Sequence, residues 1–268
     1  MTTSADSLLR DGDLSGARAE LVDRVRKAPG DAEARMFLFQ LLALTGEWTK
    51  ARAQLSALAQ LSPEAQMVSV AYGQAIDAEL MRAEVFAGRA PVSLLVKSQP
   101  WTEDLAASLT HAIAGRNDEA EAARGRAYDA APDMPGTIDG LAFDWIADAD
   151  GRFGPCLEAI IAGKWGLIPF DALEKIRSKG PQDLRDLMWY PVEIGFRSGQ
   201  SVAGFLPVRY PGTEASGDNA AILARVTNEV ETTQGTRLTG QRLLALSTGD
   251  DLDLLSLRAL DMLAAGGG

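Results

Sequence analysis

The chain has 268 residues, 46% of them hydrophobic and 24% charged, with a formal net charge of −11. That is enough apolar material for a sizeable core, and the acidic balance argues against nucleic acid, because phosphate binding needs a basic face that releases counterions. No apolar run approaches the roughly 18 residues of a membrane helix. The longest, Met36–Leu44, is interrupted by Gln40. The opening MTTSADSLLRDGD lacks the basic flank and apolar core of a secretory signal, and the single cysteine, Cys156, excludes an internal disulfide, so a cytoplasmic protein is expected.

The first half repeats. At a shift of 34 residues Gly12 falls on Gly46, Leu14 on Trp48, Ala17 on Ala51, Leu21 on Leu55 and Pro29 on Pro63. This is the period of a tetratricopeptide-like helical hairpin. Each coincidence has a physical role. Gly12 and Gly46 end the first helix of a hairpin in a left-handed turn, Ala17 and Ala51 allow two helices to cross closely, and Pro29 and Pro63 stop the second helix. A partial third unit, Gly115, Ala120 and Pro132, has the same internal spacing. Before it, the pattern predicts a long helix from about Glu64 to Ala87, then a loop over Gly88–Pro100 with Trp101 just after it. Stacked hairpins of this kind commonly present a surface that holds a peptide or a helix.

The breaker-rich stretch Ala131–Thr137 marks a junction, dividing the chain into a helical unit, residues 1–135, and a second unit, residues 136–268. In the second unit, Gly154–Ala162 reads as a helix with Pro155 in its first turn. Trp165–Phe170 reads as a strand and Asp183–Leu187 as a turn of helix. Met188–Phe196 and Ser201–Val208 read as strands around Arg197–Gln200, and Ala220–Val226 as helical. Arg242–Leu246 and Leu252–Leu257 read as a hairpin, and Ala264–Gly268 as a frayed end. The expected fold class is α+β multidomain: TPR-like hairpins followed by a smaller α+β domain with a curled antiparallel sheet.

Chemistry-bearing residues are sparse. His111 is the only histidine, which excludes histidine triads and multi-histidine metal sites within the chain. Cys156 has no base nearby in sequence and is read as a small core residue. The segment Asp144–Glu158 invites a calcium-loop reading, but aligning Asp148, Asp150 and Gly151 with that loop places Ile146 and Leu157 at its two anchoring positions. The expectation is structural: Asp148 or Asp150 accepts backbone N–H groups or pairs with Arg152. The competing reading is an enzyme or metal-dependent protein built on Asp144, Asp148, Asp150 and Arg152. Neither a nucleotide-binding glycine loop nor a nucleophile elbow occurs, and no cofactor is expected.

Several strings of the second half resemble the ImpE family, also called TagJ or SciE-type proteins. They are Gly136-Thr-Ile-Asp-Gly140, Phe143-Asp-Trp-Ile-Ala-Asp-Ala-Asp150, Gly154-Pro155, Leu157-Glu158, Ile168-Pro-Phe170, Asp183-Leu-Arg-Asp-Leu187 with Trp189 and Pro191, and Val208-Arg-Tyr-Pro-Gly-Thr-Glu214. The likeness extends into the repeats through Phe37-Leu-Phe-Gln-Leu41, Gly46-Glu-Trp48 and Arg82-Ala-Glu-Val-Phe86. After Arg225 the chain departs from the pattern, lacking a tryptophan expected near the Arg-x-Thr element. The resemblance implies a non-catalytic adaptor of the bacterial type VI secretion system. It would bind the N-terminal helix of the small, TssB-like subunit of the contractile sheath and connect to the ClpV-type ATPase that recycles sheaths. On this reading Asp144, Trp145, Asp148, Asp150, Arg152 and Trp101 are structural or partner-binding candidates, while Gly12, Ala17, Gly46, Trp48, Ala51, Gly115 and Ala120 pack the repeats.

Overall fold

A computed structural model of the chain describes residues 4–97, 99–232 and 235–263; the expected frayed end, Ala264–Gly268, lies outside the described residues. Seven helices come first: α1 (Ser4–Arg10), α2 (Leu14–Lys27), α3 (Ala32–Leu44), α4 (Trp48–Leu58), α5 (Pro63–Phe86), α6 (Pro100–Ile113) and α7 (Asn117–Ala130). Asp13, Asp31 and Ser62 cap α2, α3 and α5 by accepting N–H bonds from Gly16, Ala34 and Ala65. Gly12, Gly46 and Gly115 have φ of 82°, 72° and 73°, the left-handed turns that the repeat requires. Gly46 has a second constraint, since a Cβ there would stand 2.9 Å from Glu214 Cγ. Ala17 and Ala51 are fully buried in α2 and α4, and Ala120 is buried in α7, where its carbonyl accepts a 2.9 Å bond from Ser108 Oγ of α6. Pro29 follows the end of α2 as expected. Pro63 instead opens α5 at its first position, where a missing N–H costs nothing, and α4 has already ended at Leu58.

The rest of the chain is richer in strands than the sequence suggested. Thirteen are described: β1 (Gly136–Ile138), β2 (Leu141–Phe143), β3 (Ile146–Asp148), β4 (Cys156–Ile161), β5 (Lys164–Pro169), β6 (Leu173–Arg177), β7 (Trp189–Phe196), β8 (Ser201–Pro207), β9 (Thr227–Thr232), β10 (Gly235–Gly240), β11 (Leu243–Leu246), β12 (Asp251–Asp253) and β13 (Ala259–Met262). A short helix, α8 (Asn219–Ile222), lies between β8 and β9, and Leu184–Leu187 forms a 3-10 turn. Eight strands make an antiparallel sheet in the order β2-β1-β13-β6-β7-β8-β4-β5. It is open, with β2 and β5 at its edges, rather than curled or closed. A three-stranded sheet, β12-β11-β3, and the β9–β10 pair complete the fold.

The segment expected as a helix, Gly154–Ala162, is strand β4. Its run Cys-Leu-Glu-Ala-Ile-Ile is buried on both faces, so it has no polar alternation to mark it as a strand, and Pro155 precedes it without starting a helix. Pairing decides the matter: every residue from Cys156 to Ile161 is in register with β5, through a two-residue turn in which Ala162 and Gly163 have φ of 49° and 75°. The Ala220–Val226 helix is shortened to α8, and the Arg242–Leu246 hairpin forms with β12 as its partner, after which Leu254–Ser256 turns as 3-10 helix.

Neighbouring residues along the sheet strands enter different cores. Trp189 and Leu167 face a cluster shared with the helices, whereas Tyr190 and Ile168 face a second cluster with Leu244, Leu246 and Leu260. The shared cluster is aromatic at its centre: Tyr72 of α5 lies 5.7 Å from Trp189 and 5.5 Å from Phe205, and Phe86 lies 5.8 Å from Trp165. Placing a long charged side chain at Ala51 therefore adds both overpacking and charge burial. Ala51→Arg is expected to cost roughly 3 kcal/mol or more in chemical denaturation; unchanged stability would show that α4 does not pack there.

Candidate functional site

The sequence placed its candidate acids in one segment, and the structure divides them. Asp144 is exposed, while Asp148 and Asp150 are buried at 3% and 2% exposure. Asp150 accepts from the Arg152 backbone N–H at 3.0 Å, from its guanidinium at 2.6 Å and from Leu238 N–H at 3.1 Å. Asp148 accepts from Asp150 N–H at 2.9 Å and from the Tyr210 hydroxyl at 3.0 Å, and pairs with Arg242. These acids hold the turn between β3 and β4 and tie it to β10 and β11. Among the described residues no group of three or more His, Cys, Asp or Glu is arranged to hold a metal ion.

Asp148 is one end of a buried chain of charges that the sequence reading did not identify. Arg242, with no exposed surface, bridges Asp148 and Glu158, and its guanidinium lies 4.8 Å from the Phe153 ring centre and 4.7 Å from that of Tyr210. Glu158 of β4 also receives a bidentate pair from Arg82 of α5, at 2.7 and 2.8 Å, and the Trp165 indole N–H at 2.7 Å. Arg82 continues to Glu79 at 3.3 Å and donates to the Arg209 carbonyl at 2.9 Å. The available signal was compositional: Glu158 is the lone charge in the otherwise apolar run Cys156–Ile161.

Burial sets the electrostatics. Burial would raise Glu158, but Arg82 and Arg242 bring its carboxyl down to about 2. Burial pushes Asp148 up to about 6 against the pull of Arg242. For Cys156, burial pushes the thiol well up, and the nearby Asp171 and Asp148 add to this. Cys156 is on a strand rather than at a helix start, so nothing activates it. The lone His111, on α6, accepts a 2.9 Å bond from Arg116 at its Nδ1.

Two arginines of the sheet-rich half clamp equivalent points of the repeat. Arg225 donates to the carbonyls of Arg10 and Leu9 at the end of α1, at 3.0 and 2.8 Å. Arg209 donates to Leu44 O at the end of α3 and to Ile222 O at the end of α8, both at 2.8 Å. Arg10 and Leu44 are one repeat of 34 residues apart. Cations at helix C-termini satisfy orphan carbonyls and oppose the helix dipole. The clamps tie the ends of α1 and α3 to the sheet-rich half, and both helices line one groove with the segment Pro181–Leu187. The groove, of about 790 Å³, has Leu9, Met36, Phe37, Leu184, Leu187 and Leu223 in its walls. Acidic Asp6, Glu33 and Asp183 and basic Arg10 and Arg225 also line it.

Trp101 and Trp145, distant in sequence, come together around a second, smaller cavity of about 240 Å³ between α6, α7 and β3. Trp101 is buried, and Trp145 is 40% exposed.

The charge chain yields a measurable signature. Glu158→Gln leaves two buried guanidinium groups short of an anion and is expected to cost roughly 3–5 kcal/mol at neutral pH. Because the folded-state carboxyl is held below its ordinary value, its contribution is fully present above 4.5 and is lost as pH falls toward 2. The stability gap between wild type and Glu158→Gln, measured by denaturant melts, should therefore narrow over that acid range; a gap independent of pH would remove Glu158 from the charge chain. Cys156 should resist a thiol reagent in the folded protein and react on unfolding.

Comparison with known proteins agrees with this architecture. Residues 140–261 match the sequence pattern of the ImpE protein family, and residues 8–70 match a tetratricopeptide repeat. The crystal structure of protein VPA1032 from Vibrio parahaemolyticus has the same fold, with a TM-score of 0.86 at 20% identity over 97% of this chain and 98% of that one. The type VI secretion system accessory component TagJ of Pseudomonas aeruginosa is 40% identical over 257 residues, covering 96% of this chain and 90% of that protein. The chain thus belongs to the ImpE family of type VI secretion accessory proteins, the family of TagJ.

Proposed function

We propose that this protein is a non-catalytic, cytoplasmic adaptor of type VI secretion. Its helical unit, residues 1–135, receives an amphipathic helix, and the unit 136–268 supplies the opposite wall of the receptor. The occupant is the N-terminal helix of the sheath small subunit, and the adaptor links that subunit to a ClpV-type ATPase. The observation that carries this reading is the groove between α1, α3 and Pro181–Leu187. It offers half-buried Met36, Phe37, Leu184 and Leu187, with Asp6, Glu33, Asp183, Arg10 and Arg225 around them. An apolar stripe of a helix fits such walls, and the rim carries both acidic and basic side chains, Arg10 and Arg225 among them. The absence of catalysis is supported by the fate of the acids, since Asp148 and Asp150 are both taken up by internal bonds.

The test is capture of purified sheath small subunit, with and without its N-terminal helix, by wild type and by Met36→Glu. Wild type should retain only the form that carries the helix. Met36→Glu should lose about tenfold or more in affinity, or about 1.4 kcal/mol, with its melting temperature preserved. Failure of wild type to bind either form would overturn the adaptor reading; full binding by a folded Met36→Glu would move the receptor elsewhere on the protein.

A further inference from the structure

One side of α5 rests on the sheet through Tyr72, Ala75 and Arg82, and another carries α4. A third side is open. Met67, Val70, Gln74, Asp77, Met81 and Glu84 recur at alternating steps of three and four residues, so they share one line along the helix. Met67, Val70 and Met81 are 75%, 59% and 50% exposed. A helix that ends a repeat array normally turns a polar face outward, because no further repeat covers it. α5 turns out two methionines and a valine instead. In a continuing array the next helix would lie antiparallel against α5, but α6 pairs with α7.

The order of residues along this line says what fits it. Gln74 stands at the centre, with Met67 seven residues before it and Met81 seven after. A two-fold axis through Gln74 brings in a second α5 antiparallel to the first. It sets Met67 of each copy against Met81 of the other and joins the two Gln74 amides, each of which can both donate and accept. The charges on the line ask for no outside partner. Asp77 is paired with Arg52 of α4, and Arg89 donates to Glu84 at 2.7 and 2.8 Å. For a chain of net charge −11, a face whose charges are neutralised internally is where two copies meet with least repulsion. Beside Gln74 the surface falls into a hollow of about 330 Å³ bounded by Ala71, the Ala162-Gly163 turn and Ala203, with no charged residue in its lining among the described residues. Short side chains there leave room for those of an approaching helix.

We propose that this chain forms a two-fold symmetric dimer in which the Met67–Met81 line of α5 packs antiparallel on that of a second copy. Gln74 fixes the register, as a polar residue at a seam position does in coiled coils. None of these residues lines the groove between α1, α3 and Pro181–Leu187, so the groove stays open in both copies. The seam is short, about 21 Å from Met67 to Met81 at a helical rise of about 1.5 Å per residue. That places the dimer among the concentration-dependent interfaces rather than the permanent ones.

The test is sedimentation equilibrium of the full-length protein, which should pass from monomer to dimer across the micromolar range. Met67→Glu should weaken dimerisation about tenfold or more, with the melting temperature of the dilute monomer unchanged. Met67→Glu combined with Met81→Glu should abolish it. Met67→Glu combined with Met81→Lys should restore it, because each new acid then faces a new base of the other copy, whereas the two lie too far apart to pair within one helix. A second measurement uses disulfide formation, since the native Cys156 is buried. Under a mild oxidant Gln74→Cys should cross-link two chains faster than Met81→Cys, because only position 74 meets itself across the axis. A wild type that stays monomeric throughout the range would leave this face to another protein and overturn the proposal. A dimer indifferent to Met67→Glu, no rescue by the acid–base pair, or equal cross-linking at the two positions would overturn it as well.

Discussion

The bidentate pair between Arg82 and Glu158 joins a helix of the repeat half to a strand inside the main sheet, with both side chains buried. Removing two charges from water is costly, and only close mutual pairing with further hydrogen bonds offsets it. The structure supplies these. Arg242 neutralises Glu158 from the other side, Trp165 donates to it, and Arg82 spends a remaining N–H on a backbone carbonyl. Such a pair tolerates little displacement, so it fixes where α5 lies on the sheet. The apolar cluster around Tyr72, Trp189 and Phe205 supplies the bulk of the cohesion there, but dispersion and burial alone do not select one register.

From that fixed contact the geometry of the groove follows. Once α5 is seated on the sheet, the hairpins stacked before it are positioned as well. Arg209 and Arg225 then reach the ends of α3 and α1 at matching points of the repeat. A repeat array that usually relies on neighbours of its own kind is here completed by the sheet-rich half. The wall opposite α1 and α3 is not a further repeat but the Pro181–Leu187 segment, held by Asp183 and Asp186 through their capping bonds and by Arg185 stacked 4.6 Å from Tyr72. The acids that first suggested chemistry serve the same end, closing the turn that leads into β4 and anchoring Arg242.

Much was legible in the sequence where a residue type answers a local demand. Gly12, Gly46 and Gly115 had to be left-handed turns, and Ala17 and Ala51 had to be small, because those requirements belong to a single hairpin. The strands β5, β7 and β8 were legible for the same reason, being β-rich runs bounded by turns. β4 was not, because a strand buried on both faces carries no periodic mark. Its Ala-Gly turn also lacks the Asn or Asp that would have announced a hairpin. The short strands β1, β2, β3, β6 and β13 were missed as well. All are three to five residues long; β1, β3, β6 and β13 owe their extended form to partners distant in the chain, whereas β2 pairs with β1 across the Asp139-Gly140 turn.

The sequence by itself determined the repeat period, the helical first half, the mixed second half and the family strings, all of which reside in local spacing and residue type. It also brought Trp101 and Trp145, Asp148 and Asp150 to attention one by one. Only the tertiary structure decided what they do together. It placed Trp101 and Trp145 around one cavity, took Asp148 and Asp150 into a buried network, and revealed Arg82, Glu158, Arg209 and Arg242 as the ties between the two halves. The reason is physical: whether a charge is solvated, paired or buried depends on groups 76 to 165 residues away in the chain, and no local pattern encodes that distance.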